Sequence, residues 1–189
     1  GKNDNVRVVT SDNLIQLSAV RFGVLRVSAQ DFKREVDAVE KNIDYAVVTP
    51  DDPLVLGAVD ALTEKGIPCF GPSKAAAIIE GSKAFSKELM KKYNIPTAAY
   101  ENFDDSQKAL EYLETAQFPI VLKADGLALG KGVLICNTLE EAKEGVKSIM
   151  LDKQFGTAGN CMVIEEFMTG REVSVLSYVD GKTIKTMTS

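Results

Sequence analysis

The segment Pro119 to Val133, PIVLKADGLALGKGV, restricts the fold more than any other stretch of the chain. An apolar run ends in Lys123. A loop carrying Gly126, Gly130, Lys131 and Gly132 follows, and a second apolar run, Val133 to Cys136, begins directly after it. Short apolar runs bounded by glycine predict two strands. Glycine lets backbone approach a ligand closely and adopt φ > 0 without a side-chain clash, and lysine adds a compact charge suited to phosphate. Two strands joined in this way predict a mobile cationic flap that holds a triphosphate. The same context excludes two other phosphate devices. Lys131 is followed by Gly132 rather than Ser or Thr, and no helix follows, so this is not a Walker loop. The loop joins strand to strand, so it is not a Rossmann fingerprint.

The 189 residues are 45% hydrophobic, enough for one good core or two small ones sharing an interface. Net charge is −5 and no basic stretch stands out, so polynucleotide binding is not expected. A few lysines and backbone N–H groups still suffice to hold phosphate on an acidic protein. There is no histidine, which removes His triads, His bases and His-ligated metals. Cys69, Cys136 and Cys161 are far apart among apolar neighbours and match no zinc or redox spacing. They are expected to be buried, reduced thiols, which suits a cytoplasmic location. No run approaches the ~18 apolar residues of a membrane span, and the start carries no signal-peptide pattern. The first residue is Gly1 rather than Met, so a processed, tagged or cut chain is expected.

Along the chain, Val6 to Val9 and Phe22 to Val27 are rich in β-formers and predict strands. Ser28 with Asp31 predicts a helix start, with Phe32, Val36 and Val39 at helical spacing. Tyr45 to Val48 reads as a buried strand. Asp52 and Pro53 form an N-cap and first-position pair for one helix, with Leu54, Val55, Ala58, Val59, Ala61 and Leu62 on its apolar face and Gly66 ending it. Ile67 to Phe70 is the next strand. Alternating strand and helix predicts a parallel sheet, whose ligands sit at the carboxyl ends of the strands; the loop Thr49-Pro50-Asp51-Asp52 is at that position.

Gly71-Pro72 then breaks the pattern. Ser73 and Ser82 are predicted to cap two helices, the second with Phe85, Leu89 and Met90 inward and Asn94-Ile95-Pro96 at its end. A helix from about Ser106 to Thr115 precedes the flap. Thr138 with Glu141 is a capping box, leading a helix with Ala142, Val146, Ile149 and Met150 inward. Phe155 to Asn160 is a small glycine-bearing loop. Met162 to Phe167, Glu172 to Val179 and Lys182 to Thr186 read as strands, the last two joined by the hairpin signal Asp180-Gly181. The second half is therefore α+β with antiparallel strands.

Two further segments bear on chemistry. Val163-Ile164-Glu165-Glu166-Phe167-Met168, with Gly170-Arg171-Glu172-Val173 after it, sets paired acids beside an apolar strand end. Alone it reads as a solvated strand end. Beside a phosphate flap it suits a nucleoside, with backbone groups for a base edge and a carboxylate for ribose hydroxyls. Glu80-Gly81-Ser82-Lys83 alone reads as a capped helix with a surface lysine, though a lysine there also reaches a phosphate.

Taken together, PIVLKADGLALGKGV, VIEEFMTGREVSV and GPSKAAAIIEGSKAFSKELMKKYNIPTAAYE resemble the phosphoribosylamine–glycine ligase (glycinamide ribonucleotide synthetase) family of the ATP-grasp superfamily. The match is ordered from about Asp44 to Ser189. It implies an α/β chain. Residues 1–80 would be an incomplete parallel-sheet domain preceding the ATP-grasp, and residues 81–189 the first part of an α+β ATP-grasp domain, with a lid at about 100–164. It implies phosphorylation of the glycine carboxylate by ATP to glycyl phosphate, and attack by the amine of 5-phosphoribosylamine to give glycinamide ribonucleotide, ADP and phosphate in purine biosynthesis.

Carried over, Lys83 and Lys123 resemble the two lysines on the ATP phosphates. Gly130, Lys131 and Gly132 resemble the flap over them. Glu165, Glu166 and Met168 resemble the segment meeting adenine, and Glu172 the acid on the ribose. The cofactors implied are ATP and Mg2+ or Mn2+. The resemblance assigns no catalytic residue and no metal ligand within the chain; the metal-binding acids are expected after Ser189. The partners implied are glycine and 5-phosphoribosylamine, with no nucleic acid or membrane, and the full-length enzyme of the bacterial type is expected to be a monomer. The chain departs from the family pattern in lacking its opening G-x-G-G-R-E-H loop and in reading Thr49-Pro50-Asp51-Asp52-Pro53-Leu54 where the family has G-P-E-x-P-L. These features lead to the expectation of a fragment, inactive in ligation by itself. The alternatives are another ATP-grasp carboxylate–amine ligase and a non-catalytic nucleotide-binding module.

Overall fold

The computed structural model describes residues 7–9, 25–27, 44–126 and 132–187. The helix expected from Ser28 lies outside them, as does the centre of the flap, with Gly130 and Lys131.

The first half is built on a parallel sheet. Strands β1 (Arg7–Val9), β2 (Leu25–Val27), β3 (Ala46–Val48) and β4 (Cys69–Phe70) lie in the order β2-β1-β3-β4. Parallel neighbours require a crossover, and between β3 and β4 it is helical. The sequence predicts one helix there; the chain forms two, α1 (Asp51–Leu56) and α2 (Ala58–Glu64). Gly57 separates them at φ 94°, and its N–H closes α1 on the Leu54 carbonyl. Glycine alone takes this conformation without strain. The cap also differs from expectation. Pro50 occupies the N-cap, and Asp52 sits inside the first turn with Asp51. First-turn N–H groups have no intrahelical partner, so Pro53 is tolerated as the third helical residue, and both aspartates face the positive end of the helix dipole. Val48, Leu54, Val59, Leu62, Ile67 and Ala77 form the core of this half.

Helices α3 (Lys74–Gly81) and α4 (Lys83–Lys92) connect the halves. Ser73 and Ser82 cap them as predicted, their Oγ atoms accepting from the N–H groups of Ala76 and Phe85. The inward face of α4 differs from the reading. Phe85 is 40% exposed, and the buried side chain is Lys87. Asn94, at φ 54°, ends the turn beyond the helix.

The second half holds an antiparallel sheet of β5 (Tyr100–Phe103), β6 (Ile120–Ala124), β7 (Val133–Cys136) and β8 (Met162–Glu166) in the order β5-β8-β6-β7. Strand β8 is paired on both edges and buried along Met162–Glu165. Helices α5 (Ser106–Leu113) and α6 (Leu139–Val146) pack on one face, over Ile120, Leu122, Ala124, Met162 and Ile164. Thr138 Oγ1 accepts from the Glu141 N–H, and the Glu141 carboxylate accepts from Asn137, one residue before the cap. Ala142, Val146, Ile149 and Met150 point inward as predicted, the last two in a π-helical turn, Lys147–Leu151, that continues α6.

A separate hairpin of β9 (Ser177–Val179) and β10 (Ile184–Thr186) ends the chain. Asp180 Oδ1 accepts from the N–H groups of Lys182 and Thr183, which lower its pKa, and Gly181 turns at φ 86°. The strand expected from Glu172 starts only at Ser177, because β10 pairs no further back and the preceding side chains are exposed. No helix among the described residues is long and apolar enough to cross a membrane.

Gly159 lies so close to the π turn that a Cβ there would meet the Ile149 carbonyl oxygen. Gly159→Ala is expected to destabilise the chain by about 1–3 kcal/mol through overpacking, read as a lower urea midpoint. An unchanged midpoint would show that segment 156–160 gives way freely. The three cysteines are free, and burial raises the pKa of each thiol. Raised values keep the thiolate scarce at neutral pH. Cys136, 3% exposed, should therefore react with a disulfide reagent far more slowly in the native chain than in urea; equal rates would contradict this placement.

Candidate functional site

Lys87 and Glu165 are the two buried charged residues among those described, at 6% and 5% exposure. The pleat explains how the site forms on one sheet face. Glu165 on β8 lies directly opposite Val121 on β6 and Tyr100 on β5. Lys123, two residues along β6, occupies the diagonal position on the same face, within reach of a long side chain. Its Nζ lies 2.7 Å from Glu165 Oε2. Helix α4 covers this face and brings Lys87 Nζ to 3.3 Å from Glu165 Oε1. A single carboxylate is thus held between two ammonium groups from two elements. Lys87 also donates to Thr97 Oγ1 at 2.6 Å and to the Ala98 carbonyl at 3.4 Å, and stands 5.4 Å from the centre of the Tyr100 ring.

The second contact joins the start of α4 to the loop after β6. Lys83 Nζ donates to the Gly126 carbonyl at 2.7 Å. The Asp125 carboxylate accepts from Ser82 Oγ, 3.1 Å to each oxygen, and from the Ala84 N–H at 3.1 Å. Asp125 therefore caps a helix whose N-cap, Ser82, lies 43 residues earlier in the chain. Its own N–H donates to the Cys161 carbonyl. Gly126 turns at φ 86°, which favours glycine. The sequence reading missed Asp125. The one available signal was its position before a glycine at a strand end, which marks a turn and says nothing of a distant helix.

Of the residues singled out from sequence, Lys83, Lys123 and Glu165 come together around the carboxyl end of β6. Gly132 is buried, and its carbonyl accepts from the Ala124 N–H at 2.8 Å, closing the base of the flap. Glu166 is turned to the sheet edge, where Oε1 accepts from the Ala99 N–H at 2.9 Å. Met168 is 66% exposed just beyond β8. Glu172 is exposed in the irregular segment before β9, outside the Lys–Glu–Lys cluster. Chemically, the arrangement offers a half-exposed ammonium on a strand, a second one on a glycine carbonyl, and an adjacent apolar strand end. Asp125→Ala removes the cap shared with Ser82 and leaves the Ala84 N–H unpaired. It is expected to destabilise the chain by about 1–2 kcal/mol. Chemical denaturation measures this, and a loss below the error of the midpoint would show that Ser82 caps α4 unaided.

Comparison with known proteins places the chain in a family. Residues 4–80 match the family profile described as phosphoribosylglycinamide synthetase, N domain, and residues 81–189 match phosphoribosylglycinamide synthetase, ATP-grasp (A) domain. The phosphoribosylamine–glycine ligase of Vibrio vulnificus (strain YJ016) is 52% identical over 150 residues, which cover 79% of this chain and 35% of the relative. That of Haemophilus influenzae is 48% identical over 166 residues, 87% of this chain and 39% of the relative. The chain thus spans about a third of the length of the curated relatives it matches. Among solved structures, the phosphoribosylamine–glycine ligase from Thermotoga maritima superposes with a TM-score of 0.71 at 28% identity, covering 96% of this chain and 49% of that one. D-alanyl-alanine synthetase A from Vibrio cholerae, at 18% identity, shares the fold, with a TM-score of 0.66 over 96% of this chain and 65% of that one. The chain belongs to the phosphoribosylglycinamide synthetase family.

Proposed function

We propose that the chain supplies the ATP-binding part of a ligase that joins glycine to 5-phosphoribosylamine. The observation that carries this reading is that Lys83 and Lys123 both stand near the carboxyl end of β6, one ammonium on the Gly126 carbonyl and the other on Glu165. They come from elements about forty residues apart, and they flank the base of the glycine loop. The names of the similar proteins supply the substrates. On this reading residues 1–80 are the N-terminal domain, residues 81–189 the first part of the ATP-grasp domain, and about 100–164 its lid.

On this reading each site residue has a role. Lys83 and Lys123 bind phosphate oxygens as charged donors. Gly130, Lys131 and Gly132 form the flap that excludes water as it closes. The strand end at Glu165, Glu166 and Met168 receives adenine, and Glu172 receives the ribose hydroxyls. Glu172 would have to move inward with its irregular segment, which its exposure permits. Mg2+ or Mn2+, when bound, neutralises phosphate charge during transfer. Among the described residues no group of three or more Cys, Asp and Glu side chains is placed to hold such an ion, so none is assigned to it.

The test uses the protein in its natural full length. ADP release should require both glycine and 5-phosphoribosylamine, and D-alanine should not replace glycine. Lys123→Ala should weaken ATP binding about 10- to 100-fold, the worth of one charged hydrogen bond, as measured by calorimetry. Unchanged ATP affinity would remove Lys123 from the site. Amine-dependent ADP release with a carboxylate other than glycine would replace the substrate assignment.

A further inference from the structure

The mouth of the cluster and its interior hold lysines of different kinds. The Lys123 side chain is 28% exposed, and among the described residues Glu165 Oε2 is its ion-pair partner. The Lys87 side chain is 8% exposed. An ammonium has three donors, and three acceptors surround this one: Thr97 Oγ1, Glu165 Oε1 and the Ala98 carbonyl. Lys87 is held inside the protein, donating to Thr97 and Ala98 and ion-paired with Glu165.

Glu165 is shared between the two. If Lys123 turns to a phosphate, it gives up some or all of its pairing with Glu165. A buried carboxylate left without a counter-charge is strongly destabilising. The Lys87 ammonium on the other oxygen prevents that condition. We propose that Lys87 is a positioning residue that releases Lys123 to the nucleotide: it stays on Glu165 as a fixed counter-charge, so the Lys123 ammonium moves between Glu165 and the phosphates at little cost. This rests on the reading of the site as an ATP site. Without Lys87, Lys123 is the sole cation on the buried carboxylate and is held back from the phosphates. The defect should then appear in phosphate binding and not in binding as a whole.

The experiment compares ATP and adenosine affinities for the protein in its natural full length. The measured quantity is the adenosine-to-ATP ratio of dissociation constants. Lys87→Met should lower this ratio about fivefold or more, since breaking a buried pair is costly, while Lys87→Arg restores most of it. In a Lys123→Ala background, Lys87→Met should leave the ratio where Lys123→Ala alone puts it, because no Lys123 remains to be released. Thermal melts run alongside. If Lys87→Met does not fold, Lys87→Gln, which keeps donors to Thr97 and Ala98 without the charge, is read in its place with the same expectation. A parallel loss of both affinities, with the ratio unchanged, would mean that Lys87 only supports the fold and would overturn the proposal. Additive effects of the two substitutions on the ratio would overturn it as well. If Lys123→Ala itself leaves the ratio unchanged, the nucleotide reading of the site fails, and this inference fails with it.

Discussion

A carboxylate buried in the middle strand of a sheet cannot stay there alone. The effective penalty for taking an ion out of water is several kcal/mol even after relaxation. Glu165 stands on β8, which is hydrogen-bonded on both edges and offers no route to solvent. Its charge must be met from across the sheet face, and the two lysines that meet it arrive on β6 and on α4. The placement of α4 on this face is thereby tied to one side chain. So is the direction of Lys83. It lies four residues before Lys87, and side chains at that spacing share a helix face. Burying Lys87 against the sheet carries Lys83 towards the loop after β6, where its ammonium finds the Gly126 carbonyl.

The two faces of the antiparallel sheet divide the work. One is apolar and closed by α5 and α6, with Leu122, Val146, Ile149 and Met162 fully buried. The other carries Lys123, Glu165 and Tyr100, with Lys87 of α4 set over it. The described residues on either side of the glycine loop are anchored, Asp125 and Gly126 on the start of α4 and Gly132 by its backbone bond with Ala124.

Much of the scaffold was legible in the sequence because its signals are local. Ser73, Ser82 and Thr138 cap helices by bonding three residues ahead, and Asp180-Gly181 makes its turn within four residues. Lys83, Lys123 and Glu165 were singled out through motif resemblance, and the structure engages each in a hydrogen bond or ion pair near β6. What escaped was non-local or ran against type. A lysine on an amphipathic helix is read as solvent-facing, so Phe85, Leu89 and Met90 were expected inward and Lys87 was passed over. Its spacing from Lys83 was the available clue. The helix broken at Gly57 looked continuous because apolar periodicity runs through the break. The strand expected from Glu172 fell short because β propensity says nothing about whether a partner strand extends that far.

The buried ions are not explained by stability. Replacing a buried ion pair with apolar residues of similar volume is often neutral or stabilising. A chain selected only to hold β6, β8 and α4 together would do as well with aliphatic side chains at positions 87 and 165. The asymmetry of the cluster points elsewhere. One lysine is buried, with hydrogen bonds to Thr97 and Ala98, and the other is open at the mouth, sharing the same carboxylate. Such an arrangement makes sense where one charge has to stay and another has to be available.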